Sequence, residues 1–264
     1  MSAMAWEVPE RANDPRINVA QQELFDDRKS KAQKYAELVI GKKGFMALLG
    51  YELVMLASSW VPGALGFFLR SKLYPLLLGA CGRNVTFGQN VVLRHPGKIR
   101  IGSNVVVDDN CLLDAKGIDN RGIDLEDGVF LGRNTILSCK NGNIRLEEKA
   151  NVGFNCEIGA AGDVRVGKSV LLAAYVYIVG GDHLHDRVDV AVAEQGRTAQ
   201  GVTVDEGAWL GAHVVVADGV RIGKHAIIGA GGVVLEDVPD YHIAGGVPTK
   251  LLRDRRDAST GAIV

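Results

Sequence analysis

The sequence lacks the features that nucleic-acid-binding and disulfide-stabilised proteins usually have. Its net charge is only −1 at pH 7, which excludes attraction of nucleic acid by bulk charge. Its four cysteines lie far apart and form no CxxC pair, which argues against a disulfide framework or a zinc knuckle and favours a reducing compartment. The chain does not open with a charged segment, an apolar run and a cleavage site, so secretion is not predicted.

Aromatic residues and prolines are also scarce, at 6% and seven residues, whereas 47% of residues are hydrophobic and 33 are glycines. This composition is typical of a globular protein. It predicts a core of Val, Ile, Leu and Ala with many tight turns. The 264 residues are enough for one sizeable core or two small domains.

Residues 1–44 are polar and partly basic, and residues 45–80 are apolar. The basic residues are Arg28, Lys29, Lys31, Lys34, Lys42 and Lys43. From Phe45 to Leu69 the only charge is Glu52, and this length approaches the roughly 20 apolar residues of a membrane span. Pro62 and Gly63 interrupt the run, because proline removes a helix donor and clashes with the preceding turn. We therefore expect a helix, a break and a second helix that ends near Arg70, Lys72 and Tyr74.

Three interpretations of the apolar segment are open. It can be a helical cap that packs on the rest of the chain. It can also be a peripheral membrane contact, helped by the upstream basic residues. The third interpretation is a true membrane span.

Large aliphatic residues recur every six positions from Val85 onward. The large residues are Ile101, Val107, Leu113, Leu125, Leu131, Leu137, Leu146, Val152, Ile158, Val166, Leu172, Ile178, Val204, Leu210, Val216, Ile222, Ile228 and Val234. The residue two positions before each is usually small or β-branched, as at Val105, Cys111, Val129, Thr135, Ala150, Cys156, Val170, Val176, Ala208, Val214, Val220 and Ala226. Six is an even number, so a strand returns all these side chains to one face.

The hexads come in triplets, which predicts three-sided coils of about eighteen residues. Glycine often follows the large residue, as a tight corner requires, and a helix would repeat near 3.6 residues instead. The sequence therefore predicts an all-β fold, a parallel β-solenoid over 81–248, with an N-terminal helical segment and a tail at 249–264.

Several hexads, "IGSNVV", "LGRNTI", "VGKSVL", "IGKHAI" and "IGAGGV", resemble the hexapeptide-repeat family of left-handed β-helix acyltransferases. The closing "DVPDYHIAGGVPTKLLR" is similar to the end of its sugar O-acetyltransferase branch, which includes maltose and galactoside acetyltransferases. The resemblance covers Val85 to Arg253 and implies a left-handed coil, acetyl-CoA as donor and a homotrimer with sites at the subunit seams. The general preference for right-handed crossovers would predict the opposite hand.

The hexad stops in "VGGDHLHDRVDVAVAEQG". A continued coil would place Asp182 in a small inward slot, where an unpaired carboxylate costs several kcal/mol. Ile178 and Val204 are 26 residues apart, eight more than one coil. We therefore expect a loop at about 186–200 that leaves the solenoid after an exposed histidine pair, His183 and His185.

A histidine at the mouth of such a loop suits acyl transfer. Neutral imidazole can take the proton of a sugar hydroxyl whose oxygen attacks a thioester. In the family that the chain resembles, the catalytic histidine follows a short Gly-containing run, and "VGGDHLHD" places His183 there, with His185 as second choice. Two ordinary surface histidines are the alternative. Asp182 and Asn155 are candidates for orienting the imidazole or binding substrate.

The same resemblance implies a donor groove along the last coils. Its candidate residues are Trp209, Gly211, Ala212, Gly229, Ala230 and Gly231, with Lys250 and Arg253 near the CoA phosphates. Glycines that only form the corners of a solenoid would give the same sequence pattern in a chain that binds no acyl donor. Where many sugar acetyltransferases have Thr-Lys, this chain has Leu235-Glu236, so one cationic donor contact is missing.

We therefore predict an O-acetyltransferase that acts on a sugar of a surface polysaccharide, glycolipid or precursor. We expect it in the cytoplasm, where it can be peripheral at the inner face of the membrane. N-acetylation of an amino sugar, O-acetylation of serine and a scaffold without activity are the alternatives. The γ-class carbonic anhydrases share this solenoid, but His183-x-His185 does not match their wider histidine pair, so no metal is predicted.

Overall fold

The computed structural model describes residues 29–41 and 44–257. Short parallel strands stack in three sheets, which form the sides of a triangular solenoid of about eight turns. The first face consists of β1 (Ala80–Cys81), β4 (Ile99–Ile101), β7 (Ile123–Leu125), β10 (Ile144–Leu146), β13 (Val164–Val166), β18 (Val202–Val204) and β21 (Arg221–Ile222). The predicted parallel solenoid is confirmed.

The second and third faces follow the same order along the chain. The second face consists of β2 (Thr86–Phe87), β5 (Val106–Val107), β8 (Phe130–Leu131), β11 (Asn151–Val152), β14 (Leu171–Leu172), β19 (Trp209–Leu210), β22 (Ile227–Ile228), β24 (His242–Gly245) and the antiparallel β25 (Lys250–Asp254). The third face consists of β3 (Val92–Arg94), β6 (Leu112–Asp114), β9 (Ile136–Cys139), β12 (Glu157–Ala160), β15 (Tyr177–Gly180), β20 (Val215–Val216) and β23 (Val233–Val234).

The core is the one that the hexad predicts. Every large and every small residue assigned to the interior is buried, and each buried aliphatic side chain contributes about 1.5–3 kcal/mol. The polar members of the small set, Cys111, Thr135 and Cys156, have partners inside, and the Cys156 thiol lies 3.1 Å from the Ala173 carbonyl oxygen. The Thr135 hydroxyl donates to the Gly153 carbonyl at 3.0 Å, and the Cys111 thiol lies 3.2 Å from the Gly132 carbonyl oxygen. The interior is therefore filled without unsatisfied polar side chains at these positions.

We name each corner by the two faces that it joins. The first corner leads from the first face to the second face. The second corner leads from the second face to the third, and the third corner leads from the third face back to the first. The first and second corners are short and carry a left-handed residue in nearly every coil, often asparagine, which tolerates this conformation. His225 and His213 occupy such positions, at φ 53° and 59°. The third corner varies widely in length, from 161–163 to 181–201.

Helices close the N-terminal end of the solenoid. They are Lys31–Tyr35, a π-helical turn Ala36–Ile40, Phe45–Ser58, Gly63–Leu73 and a 3₁₀ turn Tyr74–Leu76; two further 3₁₀ turns are Pro96–Lys98 and Val192–Glu194. The helix break lies at Pro62, as the sequence predicts. Of the predicted basic cluster, Arg28, Lys42 and Lys43 lie outside the described residues.

Arg70 joins these helices to the first coil. It is buried, and its guanidinium donates to the carbonyls of Phe87, Ser58 and Val61 at 2.9, 3.0 and 2.7 Å. The hydroxyl of Tyr74 donates to the Val91 carbonyl at 2.9 Å. These bonds satisfy backbone acceptors at the open end of the solenoid, where no further coil can do so.

None of the helices in the described part of the chain is long and apolar enough to cross a membrane. The two longest are Phe45–Ser58 and Gly63–Leu73.

Candidate active site

The interruption of the hexad is a two-stranded ribbon at the third corner. β16 (Asp182–His183) pairs antiparallel with β17 (Arg197–Thr198), so His183 lies opposite Arg197. The chain leaves the coil at Gly181, whose φ is 156° and where a Cβ would lie 2.5 Å from the Ala161 Cβ. The excursion thus begins earlier than the expected loop at 186–200. Asp182 is exposed, so its carboxylate avoids the inward slot.

His183 differs from His185 in its environment. The sequence predicts that both are exposed, but His183 is half-buried in the ribbon, and its Nδ1 is enclosed with no hydrogen-bond partner within the described part of the chain. His185 is exposed, and its Nδ1 lies 3.1 Å from the His183 carbonyl oxygen. Leaving an enclosed ring nitrogen unpaired costs about 1–3 kcal/mol, so the His183 ring is prepared for a partner from outside these residues.

Asp182 contacts the histidine through the backbone. Its carboxylate accepts a hydrogen bond from the His183 amide at 2.7 Å, and its own amide donates to the Thr198 hydroxyl at 3.2 Å. These bonds fix the ribbon at the point where the imidazole projects. The carboxylate therefore positions the His183 backbone.

Two residues on the third face lie near this ribbon and were not predicted as site residues. Glu157 and Tyr177 occupy equivalent outward positions in successive coils. Desolvation raises the pKa of Tyr177, and the charges of Glu157 and Asp182 raise it further. The hexad predicts only that both point outward, because each precedes an inward isoleucine.

Trp209 and the small residues predicted for the donor lie on the second face and at the second corner. Trp209 projects outward, 44% exposed, between Leu171 and Ile227 of the neighbouring coils. At the corner, Ala230 and Gly231 are exposed, Ala212 is half-buried, and Gly211 and Gly229 are buried. A Cβ at Gly211 would lie 2.6 Å from the Ala230 amide nitrogen. Coil stacking therefore requires glycine at 211.

The corner amides divide into two groups. The amides of Gly211, Gly229 and Gly231 donate to carbonyls of adjacent coils, each at 2.8 Å. Ala212 and Ala230 make none of these coil-to-coil bonds as donors.

The remaining predicted residues lie in two places. Lys250 and Arg253 are on β25, at the C-terminal edge of the second face. Asn155 is at the second corner and accepts a hydrogen bond from the Asn134 side chain at 3.0 Å. In one chain, the third face lies between the second corner and the third corner, where His183 is.

Within residues 29–41 and 44–257, no cluster of three or more His, Cys, Asp or Glu side chains is arranged to hold a metal ion. The four cysteines are unpaired thiols. Burial raises the pKa of Cys111 and of Cys139 to about 12, so these two are protonated core side chains.

Residues 201–236 match the family model described as bacterial transferase hexapeptide (six repeats). The match shows hexapeptide repeats in this part of the chain. The chain is similar to the probable acetyltransferase Rv3034c of Mycobacterium tuberculosis (31% identity; 48% of this chain, 43% of the relative). It is also similar to the galactoside O-acetyltransferase of Escherichia coli (32% identity; 44% and 56%). The hexapeptide-repeat chain thus spans about half the length of these curated relatives.

Two solved structures share the fold of this hexapeptide-repeat chain. The polysialic acid O-acetyltransferase OatWY has a TM-score of 0.54 at 18% identity, over 67% of this chain and 86% of that one. The N-acyltransferase AntD of Bacillus cereus, in complex with an amino-sugar nucleotide and coenzyme A, has a TM-score of 0.52 at 17% identity, over 75% and 91%. These likenesses concern the fold alone, and they confirm the predicted left-handed β-helix.

Proposed function

We propose that this chain is an acyltransferase that moves an acetyl group from acetyl-CoA to a hydroxyl of a sugar, with His183 as general base. The observation that carries the proposal is the enclosed, unpaired Nδ1 of His183 at the mouth of the ribbon. The hexapeptide match and the acetyltransferase relatives support the reaction class. The acceptor is a sugar of a surface polysaccharide, a glycolipid or a precursor of either.

In the proposed step, a hydroxyl oxygen of the sugar attacks the thioester carbonyl carbon, and a ring nitrogen of His183 takes the hydroxyl proton. The carbon–sulfur bond then breaks, the acetyl group stays on the sugar as an ester, and the proton passes to the leaving thiolate. Base assistance of this kind accelerates a reaction by about 10²–10⁴-fold. The amides of Ala212 and Ala230 are the candidate hydrogen-bond donors to the thioester oxygen.

The proposed reaction needs more than one copy of the chain. His183 is at the third corner, whereas Trp209, Ala212 and Ala230 are on the second face and at the second corner. Exposed apolar side chains, Phe130, Leu171 and Trp209, lie along the second face and can pack against a neighbour. A homotrimer in which the third corner of one copy faces the second corner of the next would bring base and donor together.

The test follows thiol release from acetyl-CoA with a panel of sugar acceptors. We expect His183→Ala to lower kcat/KM by about 10²–10⁴-fold with an unchanged mass by light scattering. His185→Ala is the matched variant. If it, rather than His183→Ala, removes turnover, the base is His185. If neither variant lowers turnover, or if the wild-type chain neither binds CoA nor turns over any acceptor, the proposal is wrong.

N-acetylation of an amino sugar is a second candidate, and one observation favours it. Glu157 lies beside Tyr177 on the adjacent strand of the third face, and Asp182 is in the neighbouring ribbon. A carboxylate there can accept charge-assisted hydrogen bonds from an ammonium group. Hydroxylamine separates the candidates, because it cleaves an ester product but leaves an amide intact. Glu157→Gln should raise the KM for an amino sugar if the carboxylate binds its cation, and should leave the KM for a neutral sugar unchanged.

A further inference from the structure

The two long N-terminal helices present apolar side chains away from the solenoid. On Phe45–Ser58 and the turn after it, Met46, Leu49, Leu53, Leu56 and Trp60 are 76%, 38%, 56%, 72% and 60% exposed. Their spacing of three and four residues places them in one stripe. We call this stripe, with Leu65, Phe68 and Leu76 of the second helix and its 3₁₀ turn, the exposed helical face.

The opposite side of the same helices holds them on the solenoid. Tyr51 is buried and its hydroxyl donates to the Leu93 carbonyl at 2.9 Å, and Ser58 is fully buried. Arg70 fixes the second helix through its three carbonyl bonds. With this attachment in place, the exposed helical face cannot turn inward to join the core. Among the described residues nothing covers its apolar area, which is therefore available to a partner.

The charges around this face suit an anionic partner. From Gly44 to Val85 the only carboxylate is Glu52, and it accepts a hydrogen bond from the Tyr35 hydroxyl at 2.7 Å. Lys72 and Arg83 line an open crevice together with Phe67 and Phe68, and the Lys72 ammonium lies 5.9 Å from the Phe68 ring centre. Neither cation forms a salt bridge with a residue that the structure describes.

We propose that the exposed helical face lies in the interface of a bilayer that contains anionic lipid, with phosphate headgroups at Lys72 and Arg83. Helices that lie along a membrane surface have this combination of an apolar stripe, aromatic rings and flanking cations. A symmetric contact with a second copy fits less well, because it would double the unpaired cations without supplying a carboxylate. The proposal does not depend on the transferase activity.

The test measures binding of the full chain to vesicles by flotation. Wild type should float with phosphatidylglycerol vesicles and less with phosphatidylcholine vesicles. The double variant Leu53→Gln and Leu56→Gln should have a partition coefficient lower by about tenfold or more for both kinds of vesicle. The matched control combines Ile118→Gln and Val188→Gln, which change exposed apolar side chains of the third corner, and should bind like wild type.

A second pair of variants tests the headgroup site. Lys72→Gln combined with Arg83→Gln should lower binding to phosphatidylglycerol about fivefold for each cation removed and leave binding to phosphatidylcholine unchanged. The lipid proposal is overturned if wild type floats with neither vesicle, or if the control variant loses as much binding as the leucine variant. It is also overturned if the leucine variant lowers the mass by light scattering while vesicle binding is absent, because a second copy then covers the face.

Discussion

The solenoid and the N-terminal helices are both rich in aliphatic residues, but they place these residues differently. Leu131 and Leu137 in the solenoid are fully buried, whereas Leu53 and Leu56 in the helices are 56% and 72% exposed. A short strand of the solenoid buries the side chains on its inward side, because they form one core with the inward side chains of the neighbouring strands. A helix attached along one stripe leaves the rest of its circumference free. Apolar content by itself therefore does not assign a segment to a core.

The largest expected effect separates a buried leucine from an exposed one. Leu131→Ala should lower the free energy of unfolding by about 2–5 kcal/mol, because it removes buried surface and leaves a cavity between coils. Leu56→Ala should change it by less than about 0.5 kcal/mol. Urea denaturation followed by circular dichroism measures both values. Equal losses in the two variants would mean that the exposed helical face is buried in the protein in solution.

The next effect concerns the attachment between the two regions. Arg70→Met should cost about 2–4 kcal/mol, because three buried carbonyls lose their donor. Lys72→Met, two residues away and exposed, is the control and should be nearly neutral. Limited proteolysis should cut Arg70→Met first between residues 45 and 76 while the solenoid resists. A variant that keeps wild-type resistance there would contradict the role of Arg70 as the attachment.

The smallest effect compares two glycines. Gly211→Ala should destabilise by about 1–3 kcal/mol, because its Cβ would overlap the next coil. Gly50→Ala should stabilise by about 0.5–1 kcal/mol, since Gly50 is in a helix interior with nothing within 4 Å of the added carbon. Thermal unfolding measures whether each variant is more or less stable than the wild type. If Gly211→Ala stabilised the protein and Gly50→Ala destabilised it, coil stacking would not be the reason for glycine at 211.

The sequence predicted the solenoid well because its hexad depends on local chain geometry alone. Each inward residue from Ile101 to Val234 follows from the two-residue pleat, and Pro62 marks the helix break for an equally local reason. Long-range pairing was not predictable in the same way. The pairing of His183 with Arg197 bridges fourteen positions without a repeat, and this is why the half-buried state of His183 was missed.

The prediction of the candidate site from sequence has the same limit. Sequence indicated His183 and Trp209 through a resemblance, but it could not show that His183 lies at the third corner and Trp209 on the second face of one chain. Glu157 and Tyr177 were missed because an outward residue is prominent only once its neighbours in space are known. Arg70 was read as the end of a helix, since nothing local distinguishes a buried guanidinium from an exposed one.

The unequal corners of the prism have an evolutionary consequence. The first and second corners have nearly constant length, and a change there would shift the register of every later coil. The third corner holds three residues at 161–163 and twenty-one at 181–201 without disturbing the strands on either side. Segments inserted at this corner can therefore change in length and sequence while the scaffold stays unaltered.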